Sequence, residues 1–254
     1  LHVGHARGAV IGSSLANVLD AAGYDVQREY YVNDAGNQMR LFNDTLYSRY
    51  MQAAGHDVAL PEQAYSGEYV GELAADLLKD LGDGAVSKDK TDAIAELAPE
   101  ALSRTVADID SVLGRLGVSY DQWFYEGELL KSGRFENVLK LLEDTDLIVE
   151  RDGAKWFAAT KLGLEEDIVV IRSGDGGPTY FGTDLAYHHE KFFERNFDRV
   201  INVWGADHHA HVARMQVLMK ALGIPFEDRL VPFAGPDNSE EFRSFAPNGK
   251  VPCL

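Results

Sequence analysis

The chain has 254 residues, 45% hydrophobic and 26% charged, which excludes a disordered segment and allows a sizeable core in one or two domains. Its 41 acidic against 24 basic residues give a net charge of −17, which argues against a surface built for non-specific nucleic-acid binding and suits either a cationic small substrate or simple solubility. A single cysteine, Cys253, rules out an intramolecular disulfide and a cysteine metal site, and no stretch of about 18 apolar residues or basic leader is present, so a reducing cytoplasmic setting away from membranes is expected.

Leu1-His2-Val3-Gly4-His5 opens a helix over Ala6 to Ala22, with Val10, Ile11, Leu15, Val18 and Leu19 spaced for one buried face and Gly23 as its stop. A glycine and two imidazoles thus stand where helix N–H groups and the dipole favour an anion. Glycine admits a phosphate or a flat base close to the backbone. Val26 to Val32 reads as a strand, and Asn33-Asp34-Ala35-Gly36-Asn37 is turn chemistry at its carboxyl end, before a helix over Gln38 to Ala54. Strand, loop and helix in that order give a βαβ rhythm and a parallel sheet, whose carboxyl edge is where ligands bind.

Residues 55–174 read as an inserted α+β domain. Glu68 to Leu81 and Thr91 to Leu116 are amphipathic helices, the second with a break expected near Pro99. Ser119 to Glu126 is aromatic and extended, and Phe135 to Asp144 is a short helix. Leu147 to Val149, Ala154 to Ala158 and Ile168 to Ile171 are short strands, the first two joined by a hairpin at Arg151-Asp152-Gly153. The α/β rhythm returns over 175–235. There Tyr180-Phe181 ends a strand, Thr183 caps a helix to about Arg195, and Val200 to Trp204 is a buried-type strand leading into Gly205-Ala206-Asp207-His208-His209. Ala210 to Leu222 is a helix stopped by Gly223, Leu230 to Phe233 a further strand, and 236–254 an irregular tail. Together these give a doubly wound, Rossmann-like α/β sheet, with residues 1–54 and 175–235 as its two parts and its first strand expected upstream of Leu1.

Three loop regions converge in such a sheet: His2 to His5, Tyr180 to Asp184, and Gly205 to His211. Tyr180 and Asp184 lie one helical turn apart, and a carboxylate there can take a guanidinium bidentately. The same carboxylate also suits an ordinary acid at a helix N-terminus. Gly205 lets a nucleoside approach, and Asp207 can accept ribose hydroxyls. A different chemistry is open as well: His188, His189, Asp207, His208, His209 and His211 form a His/Asp-rich set suited to a metal-dependent hydrolase, though without a standard zinc spacing.

His2-Val3-Gly4-His5 matches the HIGH signature of class I aminoacyl-tRNA synthetases, and Gly205-Ala206-Asp207 resembles the ribose motif of that class. The strings from Glu29 to Gln38, Thr179 to His188 and Val203 to His209 narrow the resemblance to bacterial-type arginyl-tRNA synthetases, over residues 1 to about 235. The resemblance implies an arginine–tRNA ligase core that activates L-arginine with ATP and passes it to tRNA(Arg). It places His2, Gly4 and His5 in the catalytic signature, with His2 and His5 on the ATP phosphates and Gly205 and Asp207 on the ribose. It places arginine at His5, Tyr180, Asp184 and His208, although His208 stands where many relatives carry glutamine. Asn33, Asp34 and Gln38 line the same cleft. Mg²⁺ accompanies ATP as its counter-charge, with no tightly bound metal, and the protein is expected to be a monomer. No lysine loop of the KMSKS type follows Leu230 to Phe233, where Gly235 to Phe242 does not match, and the chain opens on its motif without Met. It therefore reads as part of a longer synthetase, inactive or weakly active alone; a non-catalytic piece is the remaining alternative.

Overall fold

The computed structural model describes residues 3–174, 176–204 and 209–227. Two parallel strands, β1 (Glu29–Val32) and β2 (Gln122–Tyr125), pair in register from Glu29 opposite Gln122 to Val32 opposite Tyr125. The chain crosses between them through α2 (Gly36–Ala53), α3 (Glu68–Leu81) and α4 (Lys90–Arg115). Beyond β2 come α5 (Glu126–Lys131) and α6 (Arg134–Glu143). An antiparallel sheet of β3 (Ile148–Arg151), β4 (Ala154–Phe157) and β5 (Ile168–Ile171) follows, then α7 (Tyr180–His189) and α8 (His209–Ala221), while α1 (Val3–Ala21) precedes β1. The fold is α/β with a small parallel sheet among helices.

Local chemistry explains most of these elements. Asp89 caps α4 by accepting from the Thr91 and Asp92 amides at 2.9 and 3.0 Å. The β3–β4 hairpin turns on Asp152 and Gly153, both with positive φ (52° and 71°), as the tight primed turns require. Pro99 does not break α4, which runs unbroken past it. The proline removes one N–H, and burial of Leu97 and Ala101 on the inner face holds the helix through the gap.

Two apolar clusters form the core. One joins Phe42, Leu46 and Tyr50 of α2 to Val70 and Leu77 of α3 and Leu97 of α4. The other joins Phe124 of β2, Leu129 of α5, Leu142 of α6, Phe157 of β4, Val170 of β5, Leu185 of α7 and Leu218 of α8. These clusters cut across the expected boundaries at 54 and 174. The aromatic stretch anticipated inside an insertion supplies β2, the partner of β1, because two short strands become stable only as a pair covered by a shared core.

Several local expectations are corrected. The apolar face of α1 is not sealed: Ile11 and Val18 are exposed, and Leu15, Ala16 and Leu19 border an open cavity. Val200 to Trp204 forms no strand; Ile201 and Val203 are exposed there, and no neighbouring strand offers them a ladder among the described residues. Tyr180 and Phe181 are the first turn of α7, not the end of a strand. Thr179 is the cap, accepting from the Gly182 amide at 3.2 Å, while the Thr183 hydroxyl turns back to the Tyr180 carbonyl. Leu230 to Phe233 and residues 236–254 lie outside the described residues.

Gly182 shows how tightly α7 sits on β5. A Cβ there would stand 2.7 Å from the Val170 carbonyl oxygen and 3.1 Å from the Phe135 ring. Alanine gains about 1 kcal/mol of helix propensity over glycine, but forcing a methyl onto strand backbone costs about 1–3 kcal/mol. Gly182→Ala is therefore expected to lower the urea midpoint of unfolding, against the helix-propensity trend. A raised midpoint would show that α7 has room to move off β5.

Candidate active site

The parallel pair places the polar groups. Val32 and Tyr125 are opposed at the carboxyl ends of their strands, so the residues that follow each strand meet. The Asp34 carboxylate accepts from the Gly127 amide at 2.7 Å, at the amino end of α5. The Asn33 side-chain amide, oriented to satisfy its neighbours, donates to Glu126 Oε2 and to the Ala35 carbonyl, both at 2.9 Å. Glu126 is buried, and Asp184 of α7 lies close enough to act on it electrostatically. Burial raises the Glu126 carboxyl above its usual range and the Asp184 and Asp34 charges raise it further, while hydrogen bonds from Thr183 and Tyr31 pull the other way.

Asp184 is 5% exposed, and its Oδ2 stands 2.6 Å from Nε2 of His211 on α8. The His211 ring lies 5.1 Å from the Tyr180 ring and 5.3 Å from Trp204. Tyr180 itself is half exposed; burial, then the Asp184 and Glu126 charges, push its hydroxyl up to about 12. A cavity of about 1300 Å³ is bordered by Gly4, His5 and Gly8 of α1, Tyr31 of β1, Tyr180, Asp184 and His188 of α7, and Trp204.

The anticipated residues therefore divide. Gly4, His5, Tyr180 and Asp184 share one cavity. Asn33, Asp34 and Gln38 do not border this cavity: Asp34 is committed to α5 and Asn33 to Glu126, and Gln38 is exposed on α2. His2, Gly205, Asp207 and His208 lie outside the described residues. The metal-hydrolase alternative gains no support: no group of three or more metal-ligating side chains is placed to hold an ion among the described residues.

Other groups were missed by the motif reading. Glu126 directly follows the aromatic run Gln122–Tyr125, so the logic that singled out Asn33 after β1 would have found it. In the cavity wall, His188 Nδ1 bonds the Asp184 carbonyl at 2.9 Å, and Asn202 Nδ2 reaches His188 Nε2 at 3.0 Å. Those partners fix the tautomer, with Nδ1–H donating and Nε2 accepting, and burial holds the ring well below its usual pKa. Lys191 sits on the wide π turn Glu190–Glu194 that continues α7. Its Nζ donates to Asn202 Oδ1 at 3.1 Å and lies 3.9 Å from the centroid of the Tyr187 ring. Burial brings the Lys191 ammonium down to about 8, against the pull of Glu29 and Asp184.

Lys191 makes stability depend on pH in a defined direction. Between about 8 and the ordinary lysine value the unfolded chain holds more protons, so the folded state gains as pH rises through that window. Relative to Lys191→Met, the unfolding free energy of the native sequence is expected to rise by about 3 kcal/mol between pH 8 and pH 10.5. Denaturant titrations of both forms at the two pH values check this, and a constant difference would mean that Lys191 is charged and solvated in the fold.

The model of the family "tRNA synthetases class I (R), catalytic domain" matches residues 1–232. An arginine–tRNA ligase of Dehalococcoides mccartyi is 46% identical over 224 residues, covering 88% of this chain and 40% of that protein. One of Carboxydothermus hydrogenoformans is 46% identical over 231 residues, covering 91% of this chain and 41% of that protein. A crystal structure from Campylobacter jejuni assigned as an arginyl-tRNA synthetase superposes with a TM-score of 0.78 at 36% identity, over 88% of this chain and 49% of that one. The chain thus spans about two fifths of the length of the curated relatives it matches.

Proposed function

The chain belongs to the class I tRNA synthetase (R) catalytic-domain family, and from that premise we propose that it is the arginine- and ATP-handling part of an arginine–tRNA ligase. One observation carries the reading: a buried carboxylate, Asp184, borders the same cavity as Gly4 and His5 at the amino end of α1. Asp184 pairs with the guanidinium, with Tyr180 against its flat face; Glu126 beside it adds negative charge that favours a cation. His208 contributes to the same pocket. His2 and His5 contact the ATP phosphates, helped by the partial positive charge of the α1 N-terminus. Gly205 and Asp207 hold the ribose. Asn33 and Asp34 support the site from behind, through Glu126 and α5, and Gln38 flanks it.

In the first step an oxygen of the arginine carboxylate attacks the α-phosphorus of ATP, and the bond to the bridging oxygen breaks to release pyrophosphate. In the second, the terminal adenosine hydroxyl of tRNA(Arg) attacks the arginyl carbonyl, loses its proton and displaces AMP. Neither step needs a covalent bond to the protein. Positioning of the two reactants and stabilisation of growing charge on the phosphates supply the rate. Mg²⁺ would accompany ATP as the counter-charge of its phosphates.

The same reading assigns residues 1–54 and 175–235 to a Rossmann-like catalytic unit and 55–174 to an inserted domain, in a cytoplasmic, monomeric synthetase. No helix among the described residues is long and apolar enough to cross a membrane.

Two measurements test the assignment. Asp184→Asn keeps the shape and removes the charge, so arginine binding to the purified chain is expected to weaken by about 2 kcal/mol or more, roughly thirtyfold, with ATP binding within about twofold. Equal affinities for arginine in the two forms would remove Asp184 from the pocket. Secondly, the 254-residue chain alone is expected to arginylate tRNA negligibly, since it spans two fifths of its relatives and its charge of −17 repels phosphate. Turnover within about tenfold of a full-length relative, or ~1.4 kcal/mol in barrier, would contradict that.

A further inference from the structure

The His211–Asp184 pair has no part in the scheme above, yet it is the closest charged contact to the carboxylate that receives the substrate cation. His211 comes from α8 and Asp184 from α7, so the contact bridges two helices at the cavity wall. Both side chains are largely buried, at 9% and 7% exposure. The imidazole is held between the Tyr180 and Trp204 rings, which limits how it can turn. A ring so placed limits how far the carboxylate can turn before any ligand arrives, which lowers the entropy lost on binding.

We propose that His211 is a positioning residue for the arginine side chain, which as a neutral imidazole holds Asp184 Oδ2 through Nε2–H and as an imidazolium neutralises the same carboxylate and weakens its hold on a guanidinium. This rests on the reading of Asp184 as the guanidinium acceptor. A carboxylate that accepts a hydrogen bond from a neutral ring keeps its full charge for a cation. A carboxylate paired with imidazolium does not, and the incoming guanidinium then meets a like charge in a partly buried site. Arginine affinity is thereby tied to the protonation state of one imidazole.

Other charges face the pair, and they set what the experiment must separate. On α7, Asp184 and Tyr180 flank His211, and His188 is close enough to interact with it electrostatically. Glu126 at the start of α5 acts on Asp184, and Lys191 on the π turn feels the Asp184 charge. Burial raises the Glu126 carboxyl, and its protonation would weaken cation binding on its own. That contribution survives replacement of His211, so the difference between the native and substituted chains isolates the imidazole.

The test is equilibrium dialysis of labelled arginine against the full 254-residue chain, at about pH 7.5 and about pH 5.5, either side of the ordinary imidazole range. Native protein is expected to lose about tenfold more affinity over this interval than His211→Gln, in which the amide retains a donor but cannot be charged. At the higher pH, His211→Gln should bind within about threefold of native and His211→Ala clearly more weakly, because only the former still holds Asp184. The His211 ring proton followed by NMR gives a reading that does not depend on the variants folding: its titration midpoint should fall when arginine is added to native protein and should not respond in Asp184→Asn. Equal pH dependence in native and His211→Gln chains, or a His211 midpoint indifferent to arginine, overturns the role of His211 while Asp184→Asn still weakens binding. No arginine binding by native protein at tens of millimolar, or native-like binding by Asp184→Asn, overturns the pocket assignment itself and this inference with it.

Discussion

The parallel pairing of β1 with β2 is the constraint on which the rest of the site depends. It joins strands about ninety residues apart in the chain and brings Asn33 and Asp34 against Glu126 and Gly127. Asp34 satisfies the Gly127 amide at the start of α5, a group that would otherwise lack an intrahelical partner. Gly127 is the residue that permits this, since a Cβ there would come within 2.9 Å of Asp34 Oδ2. A substitution at either strand end therefore acts first on the geometry of the carboxylate cluster and only then on any ligand.

Gathering three carboxylates, two of them buried, is unfavourable without a cation. The fold distributes the cost. Asp34 is hydrogen-bonded to backbone, Glu126 to Asn33, and Asp184 faces an imidazole. Asp184 alone of the three borders the cavity, so it is the one whose partner a ligand can share or replace. Further along the same cavity, His188, Asn202 and Lys191 form a polar cluster built from a neutral ring, an amide and an ammonium whose pKa burial lowers. These residues border the same cavity as Asp184 and tie the second half of α7 to the segment around Asn202.

A second feature follows from the same placement. Tyr31, Phe124 and Tyr187 stack with centroid separations of 4.5 to 5.9 Å between β1, β2 and α7. The Tyr187 hydroxyl donates to Glu29, which also holds Arg195 at 2.7 Å. Apolar rings thus seat α7 on the parallel pair, and the Glu29–Arg195 contact ties the end of the π turn back to β1. The first turn of α7, with Tyr180 and Asp184, is positioned by packing on β5 and the second by these rings. A helix clamped at both ends can hold a carboxylate in place at a cavity that is otherwise open.

Much of this was legible in the sequence. Helical periodicity gave α3 its full extent and α4 to within a residue at either end, because an amphipathic stripe is a local signal. The Asp152-Gly153 turn announced its hairpin for the same reason. His5 and Asp184 stood out as residues near helix N-termini and Tyr180 as one at a strand end, and the strings around them carried the family. What failed was non-local. Nothing in Ser119 to Glu126 says that it pairs with β1 and not with a sheet of its own, and nothing in Val200 to Trp204 says that it joins no strand among the described residues. A strand is defined by its neighbour, and the neighbour here lies ninety residues away. Glu126 and His211 were overlooked as partners of Asp184 because their meeting requires α5, α7 and α8 to be packed. The sequence by itself determined the elements, the family and the residue types at the site. Only the tertiary structure decided which carboxylate faces the cavity and which are tied into the frame, since that depends on burial and on hydrogen bonds between segments far apart in the chain.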